Sequence, residues 1–282
     1  MEGLFPIISM PFDKKGNIDL EDLEAEVEYG ITNGVDGIGV AFGSEINKLT
    51  DQERQIVTRT IVNQNQGRVP VVINTGASST IVSVLYSKLA QEDGADAIMC
   101  LPPPNLSDEI IIKYFLEIDS NVNIPIFIQD AGPCPIPETV GKELSERSRN
   151  ISYAKIETSP LPQTVQKWIK VCGDSLSVFG GVSGVYVLEE LMYGSKGTMP
   201  HFAFIPMFRK VLDLFKSDDL VGAQIEFERY KPVFNCGLPQ IFMTKEILKR
   251  AGVFKHVYLR EPVIFPTSES WKNFIQCYEL LA

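Results

Sequence analysis

Short apolar runs alternate with longer amphipathic stretches eight times over residues 1–217, and this alternation restricts the fold more than any other feature. Runs such as residues 37–41 are apolar on both faces, which is typical of strands in parallel sheets covered by helices on both sides. Strict alternation of strands and helices predicts a parallel sheet, and eight such units close into a barrel. The predicted fold is therefore α/β, a (β/α)8 TIM barrel with appended C-terminal helices.

An open doubly wound sheet is the alternative, but its G-x-G-x-x-G fingerprint is absent after the first predicted strand. We place the eight strands at residues 4–9, 37–41, 69–74, 95–100, 125–129, 152–157, 177–180 and 197–199. Three further helices are expected at residues 219–230, 239–251 and 268–281. The sequence thus predicts a barrel over residues 1–217 and a helical extension over residues 218–282 that packs on it.

Composition excludes several classes of function. The 282 residues are 44% hydrophobic, enough for one large core, and the net charge of −10 argues against binding to nucleic acid or to anionic membranes. No apolar run approaches the roughly 20 residues of a membrane-spanning helix, and the first residues do not form a signal peptide. Five widely spaced cysteines, an odd number, indicate reduced thiols and a cytoplasmic protein.

The sixth predicted strand carries charged residues where a buried strand should be apolar. Side chains alternate along a strand, so Lys155 and Glu157 share one face. Positions facing the helices must be apolar, so these two point into the barrel, near the carboxyl ends of the strands where barrel active sites lie. Gln129 ends the neighbouring strand at a similar height. We expect these three polar side chains to converge at one mouth of the barrel.

A desolvated lysine loses proton affinity, and a neutral amine can attack a ketone to form a Schiff base. The nearby Glu157 opposes this change because a carboxylate keeps Lys155 protonated. Our hypothesis is that Glu157 carries the transferred proton. A purely structural buried ion pair is the alternative. Neither His201 nor His256 has the sequence context of a metal site or a catalytic triad, so no metal or cofactor is expected.

Several motifs, in order along the chain, resemble the dihydrodipicolinate synthase / N-acetylneuraminate lyase family. They are Pro11-Phe12-Asp13 with Gly16; Gly43-Ser44-Glu45 with Leu49 and Glu53; Pro125-Ile126-Phe127-Ile128; Lys155; and Gly180-Gly181 with Glu190, Leu191, Gly194 and Gly197. The resemblance implies a tetramer of barrels, pyruvate-type substrates and a Schiff-base lysine, a role that falls on Lys155. It also implies a small-molecule 2-keto acid as the substrate.

One departure from the family pattern bears on the reaction. Synthases and lyases of the family use a tyrosine at the end of strand five, where this chain has Gln129. Gln129 followed by Asp130-Ala131, with Lys155 and Glu157 on strand six, is similar to the 2-keto-3-deoxy-L-arabonate dehydratase branch. The resemblance implies a hydro-lyase that dehydrates a 2-keto-3-deoxy sugar acid. A pyruvate-dependent aldolase or a synthase-type condensation is the second reading, and a non-catalytic keto-acid-binding barrel is the third.

The remaining candidate residues bind rather than react. We expect the substrate carboxylate on the backbone amides of Gly43 and Ser44 and on the Ser44 hydroxyl, close to a helix start. Gly180 and Gly181 are expected to let the backbone approach the substrate, and plain turn glycines are the alternative. Glu45 is expected to hold its loop together more than to bind substrate. The assembly implied is a homotetramer or a homodimer.

Overall fold

A computed structural model describes residues 1–281 as one parallel sheet surrounded by helices. Its strands are β1 (Gly3–Leu4), β2 (Ile38–Val40), β3 (Val71–Asn74), β4 (Ala97–Cys100), β5 (Ile126–Asp130), β6 (Ile151–Ile156), β7 (Ser177–Gly180) and β8 (Gly197–Thr198). Each strand from β2 to β8 lies beside its neighbours in sequence, and β1 pairs with β8. This sequential parallel order is that of a barrel and not of a doubly wound sheet.

The barrel closes through the chain that follows β1. Here the Ile8 N–H donates to the Gly39 carbonyl at 2.8 Å, and the Gly39 N–H donates to the Pro6 carbonyl at 2.9 Å. We predicted a continuous first strand over residues 4–9, whereas the regular ladder stops at Leu4 and resumes only as a bridge at Ile7. Pro6 has no N–H to donate, so the ladder is interrupted at that residue.

Within residues 1–281, eight α-helices cover the barrel and four follow it. The first group is α1 (Leu20–Thr32), α2 (Asp51–Asn65), α3 (Thr80–Glu92), α4 (Asp108–Asp119), α5 (Glu138–Arg147), α6 (Gln163–Cys172), α7 (Val187–Met192) and α8 (Ile205–Lys216). The second is α9 (Leu220–Glu228), α10 (Lys231–Phe234), α11 (Gln240–Arg250) and α12 (Ser268–Glu279). The predicted alternation of strands and helices is confirmed. None of the helices in residues 1–281 is both long and apolar enough to cross a membrane.

Apolar side chains form two layers, which explains strands that are apolar on both faces. One cluster fills the barrel and includes Phe5, Val72, Phe127 and Phe179. A larger cluster lies between the strands and the helices. Inward and outward residues alternate as the pleat requires, so polar side chains on the inward face meet only at the ends of the barrel.

The C-terminal helices bury their apolar residues in the same outer layer as the barrel helices, with Phe227, Leu248 and Phe274 among them. Charged contacts add to this packing, because Lys255 pairs with Asp19 at 2.9 Å. The predicted packing of the extension on the barrel is consistent with these contacts. The division at residue 217 stays a prediction, and Ala282 lies outside the described residues.

Candidate active site

Lys155, Glu157 and Gln129 meet at the carboxyl ends of β5 and β6. Gln129 is paired in register with Lys155, and the Glu157 N–H continues the ladder by donating to the Asp130 carbonyl at 2.8 Å. The Lys155 Nζ lies 3.0 Å from the Glu157 Oε2, and the Gln129 Nε2 donates to the same oxygen at 2.9 Å. The structure therefore brings together the three residues that we predicted to converge.

The Glu157 carboxylate is surrounded by donors. Its other oxygen, Oε1, accepts the Val182 N–H at 3.0 Å. Burial raises the pKa of Glu157, but the Lys155 charge and the hydrogen bonds from Gln129 and Val182 outweigh burial, so the pKa lies below its ordinary value. Glu157 is consequently ionised at neutral pH, and it can accept a proton.

Gln129 is itself held by a residue that we did not single out in the sequence. The Asn74 Nδ2 donates to the Gln129 Oε1 at 2.9 Å, and the Asn74 Oδ1 accepts the Gly76 N–H at 3.2 Å. Asn74 ends β3 on the same face as Val72, which lies inside the barrel. The alternation rule that identified Lys155 applies equally to β3 and was the available signal.

A cavity of about 320 Å³ opens above these residues, within the size range of small-molecule sites. It is lined by Ile7, Phe42, Gly43, Gln129, Lys155, Glu157, Val182, Ser183, Met199, Pro200, His201, Gln240 and Ile241. Gln240 lies on α11 and was not among the site residues that we predicted from the sequence. A C-terminal helix thus contributes directly to the rim of the cavity.

His201 was set aside in the sequence, yet it lines the cavity. Burial lowers the pKa of His201 to about 4, although a hydrogen bond with Gln240 opposes that shift. The imidazole is therefore neutral at pH 7. No group of three or more His, Cys, Asp or Glu side chains within residues 1–281 is arranged to hold a metal ion.

The loop after β2 differs from expectation at Ser44. This residue is fully buried, its N–H donates to the Ala41 carbonyl at 2.9 Å, and its Oγ accepts the Ala41 N–H at 3.1 Å. The Ser44 amide that we assigned to a substrate carboxylate is thus already bonded within the loop. Gly43, in contrast, lines the cavity, and it remains the better placed of the two predicted amides.

Glu45 holds this loop through two lysines. Its carboxylate pairs with Lys245 of α11 at 2.6 Å and with Lys48 at 2.8 Å. The Lys48 Nζ also donates to the Arg260 carbonyl at 2.7 Å. These contacts agree with the structural role that we expected for Glu45, and they tie the loop to the C-terminal segment.

Gly180 and Gly181 leave room for two carboxyl groups. A Cβ at Gly181 would overlap the Cγ of Glu157, and a Cβ at Gly180 would overlap the Glu190 carboxyl. The absence of side chains at these positions lets the acids lie directly against the end of β7. Contact of either glycine with a substrate stays a prediction.

Glu190 is buried outside the barrel wall, and neither of its carboxyl oxygens has a hydrogen-bond partner. Burial, followed by repulsion from Glu189 and Glu157, raises the pKa of Glu190 from 4.5 to about 8. The folded chain therefore keeps a proton that the unfolded chain releases. The contribution of protonated Glu190 to the free energy of unfolding is complete below about pH 4.5 and is lost as the pH rises towards about 8.

We expect Glu190→Gln to remove this component of the pH dependence. The amide carries no charge at any pH, so the free energy of unfolding of the variant should exceed that of the wild type at pH 8.5 and approach it at pH 5. Urea unfolding at both pH values measures the difference. An equal difference at the two values would show that Glu190 does not titrate in this range.

Comparison with known proteins identifies the family to which this chain belongs. The chain matches the Dihydrodipicolinate synthetase family over residues 1–277. It is 28% identical over 276 residues to an L-2-keto-3-deoxyarabonate dehydratase of Azospirillum brasilense, covering 93% of this chain and 88% of that protein. It is 31% identical over 206 residues to a 4-hydroxy-tetrahydrodipicolinate synthase of Methanococcus maripaludis, covering 71% of this chain and 69% of that protein.

The structural comparison agrees with the sequence comparison. A solved dihydrodipicolinate synthase has a TM-score of 0.91 and 25% identity, and the match covers 100% of this chain and 99% of that one. The resemblance that the motifs indicated is thus confirmed over almost the whole length, together with the barrel. The chain belongs to the Dihydrodipicolinate synthetase family and is an enzyme of the lyase class.

Proposed function

We propose that this enzyme is a Schiff-base hydro-lyase that dehydrates a 2-keto-3-deoxy sugar acid, similar to 2-keto-3-deoxy-L-arabonate, to a semialdehyde. The observation that carries the proposal is the contact of Lys155 and Gln129 with one oxygen of Glu157. These groups supply an amine, a carboxylate and an amide, with no phenol among them. Tyr153, which precedes Lys155 on the same face, stacks on Phe127 inside the barrel instead.

Lys155 is proposed to form the covalent intermediate. Its ammonium group must lose a proton before the nitrogen attacks the C2 carbonyl, and the Glu157 carboxylate 3.0 Å away is placed to receive that proton. Glu157 returns this proton to the hydroxyl group of the adduct, which leaves as water and gives an iminium ion. The positive nitrogen withdraws electrons and makes the C3–H bond acidic, so no further cofactor is needed for this step.

Glu157 is proposed to carry the proton from C3 to the leaving group. The charge on the iminium nitrogen disappears as the C3–H bond breaks and the neutral enamine forms, so the proton affinity of Glu157 rises as it accepts the C3 proton. The C3–H proton passes to Glu157, and the C4–O bond breaks as Glu157 returns that proton to the departing hydroxyl. One water is released, and a double bond forms between C3 and C4. Transfer of one proton from C5 to C3 and one from the C5 hydroxyl to C4 converts this unsaturated alcohol to the aldehyde. Water then hydrolyses the iminium ion, which releases the semialdehyde and restores the Lys155 amine.

Gln129 has no basic group at neutral pH, so its proposed role is to orient Glu157 and the leaving water. The substrate carboxylate is proposed to bind near the Gly43 amide and the Ser44 hydroxyl, with Gly180 and Gly181 at the opposite side of the mouth. The adjacent neutral His201 adds no charge to this region. We infer that a small 2-keto acid is the ligand.

We further infer a homotetramer or homodimer in the cytoplasm. Large apolar side chains remain exposed on α3 and α4, including Ile81 at 79% and Ile110 at 50% exposure, and burial against another copy would remove them from water. The five cysteines are unpaired, consistent with a reducing compartment. Light scattering of the purified enzyme measures the assembly directly.

A product assay combined with covalent trapping tests the proposed function. Incubation with 2-keto-3-deoxy-L-arabonate should yield a semialdehyde, and borohydride with pyruvate should modify Lys155, as detected by peptide mass. Lys155→Arg keeps the positive charge beside Glu157 but cannot form the adduct, so it should show neither signal. Release of pyruvate and an aldehyde would favour the aldolase, and lack of trapping in the wild type would favour the non-catalytic binder.

A further inference from the structure

Gln129 and Glu157 belong to a chain of hydrogen bonds that starts at the protein backbone. The Gly76 N–H donates to the Asn74 Oδ1 at 3.2 Å, the Asn74 Nδ2 donates to the Gln129 Oε1 at 2.9 Å, and the Gln129 Nε2 donates to the Glu157 Oε2 at 2.9 Å. Asn74 and Gln129 are 1% and 3% exposed, so water does not compete for these bonds.

The direction of every bond in this chain is fixed by its first member. A backbone N–H of Gly76 only donates, so the atom of Asn74 that faces it must be the carbonyl oxygen. The amide nitrogen of Asn74 then faces Gln129, and because that nitrogen only donates, it must meet the Gln129 oxygen. The Gln129 nitrogen is consequently the atom that remains for Glu157.

The opposite orientation of the Gln129 amide would change the protonation state that Glu157 favours. Its Oε1 would then face the Glu157 Oε2, and two acceptors in contact repel each other unless Glu157 carries a proton. The amide ends of Gln129 have nearly the same shape, so packing does not distinguish the two orientations, and the Glu157 carboxylate selects the Nε2 end only while it carries no proton. The contact with Asn74 supplies the distinction.

We propose that Asn74 is a positioning residue that fixes the amide orientation of Gln129, so that Glu157 starts the reaction as an unprotonated acceptor. The proposal rests on the proposed function in one respect, namely that Glu157 carries the proton. Asn74 itself need not touch the substrate. It is assigned no role in forming the Lys155 adduct.

Two variants of Asn74 test this role. In Asn74→Asp, the new carboxylate accepts the Gly76 N–H and attracts the Gln129 Nε2, which turns the Gln129 oxygen towards Glu157. The acid limb of the pH profile of kcat should then move upward by about one unit. In Asn74→Leu, Gln129 is free to rotate, and kcat at pH 7 should fall about tenfold with a smaller upward shift.

Exchange of the pyruvate methyl protons in D2O, followed by NMR, supplies a second readout. This partial reaction needs Lys155 and Glu157 but no sugar acid, so it can be measured even if the substrate has been misassigned. The acid limb of its pH profile should shift as that of kcat does in each Asn74 variant. Borohydride trapping with pyruvate at saturation should be unchanged.

Asn65 provides the matched control. It is 2% exposed and uses both ends of its side-chain amide on Val69, far from the cavity, with its Nδ2 donating at 2.7 Å and its Oδ1 accepting at 3.2 Å. Asn65→Leu should lower the free energy of unfolding but leave both pH profiles in place. A shift in this control equal to that in Asn74→Leu would mean that lost stability alone moves the profile, and would overturn the proposal.

The outcomes separate this inference from the proposed function. If the wild type exchanges the pyruvate methyl protons but dehydrates no 2-keto-3-deoxy sugar acid, the hydro-lyase proposal is refuted. The pH profiles of exchange in the Asn74 variants then still test the positioning role. Unshifted profiles in both Asn74 variants would overturn the positioning role alone. Absence of exchange in the wild type would overturn both. If Asn74→Asp does not fold, Asn74→Leu decides by itself.

Discussion

Glu157→Gln should still capture pyruvate on Lys155, although more slowly because water must accept the Lys155 proton, and it should dehydrate its substrate about 10²- to 10⁴-fold more slowly, the usual contribution of a general acid or base. The amide cannot carry the C3 proton to the C4 hydroxyl. It also fits its surroundings poorly, because Gln129 and Val182 both donate to the two oxygens of Glu157. One end of the new amide would therefore direct N–H groups at another donor. Borohydride trapping and turnover, measured on the same preparation, check both parts.

The control for this prediction is Glu138→Gln. Glu138 pairs with Lys167 at 2.8 Å on the outer surface, so the same chemical change is made to a Glu–Lys pair away from the cavity. Turnover in that variant should match the wild type. Full activity in Glu157→Gln would exclude Glu157 as the proton carrier and with it the mechanism described above.

Glu45→Gln should lower the free energy of unfolding by about 3–5 kcal/mol, the cost of leaving one member of a buried ion pair without its partner. Glu45 and Lys245 have side chains that are each 1% exposed, with 2.6 Å between Oε2 and Nζ. Burial lowers the pKa of Lys245, and Glu45 is the main group that opposes this shift. The ammonium group would keep the Tyr258 carbonyl, at 3.2 Å, and the ring of Phe12, which are both uncharged contacts.

Urea unfolding measures this loss, and two further variants define its origin. Adding Lys245→Met to Glu45→Gln removes both charges and should recover most of the stability, because a methionine packs without a partner. Glu228→Gln breaks the exposed pair with Lys231 and should lower the free energy of unfolding far less than Glu45→Gln does, because water screens that pair. Equal losses in Glu45→Gln and Glu228→Gln would show that burial does not govern the first pair.

The sequence was sufficient for features that depend on local periodicity. The alternation of side chains along β6 placed Lys155 and Glu157 on one face, and the parallel register placed Gln129 beside them. Both follow from the pleat, which does not depend on the rest of the fold. The same rule would have identified Asn74, but one polar residue at the end of an apolar strand is less conspicuous than a lysine.

Other features depend on contacts between distant parts of the chain. Gln240 reaches the cavity only because α11 packs against the barrel mouth, and no local pattern encodes that approach. The occupied amide of Ser44 follows from the turn that the loop adopts after β2. Pro6 interrupts β1 while the barrel still closes, because the residues around Gly39 supply the missing bonds.

The pairing of Glu45 with Lys245 has a consequence for protein synthesis. The two residues are separated by 200 positions in the chain, so at ribosomal rates of 5–20 residues per second roughly 10–40 s pass between their incorporation. All eight strands have been translated by then. The loop that contains Glu45 therefore lacks its Lys245 partner until near the end of translation, after the whole sheet has been synthesised.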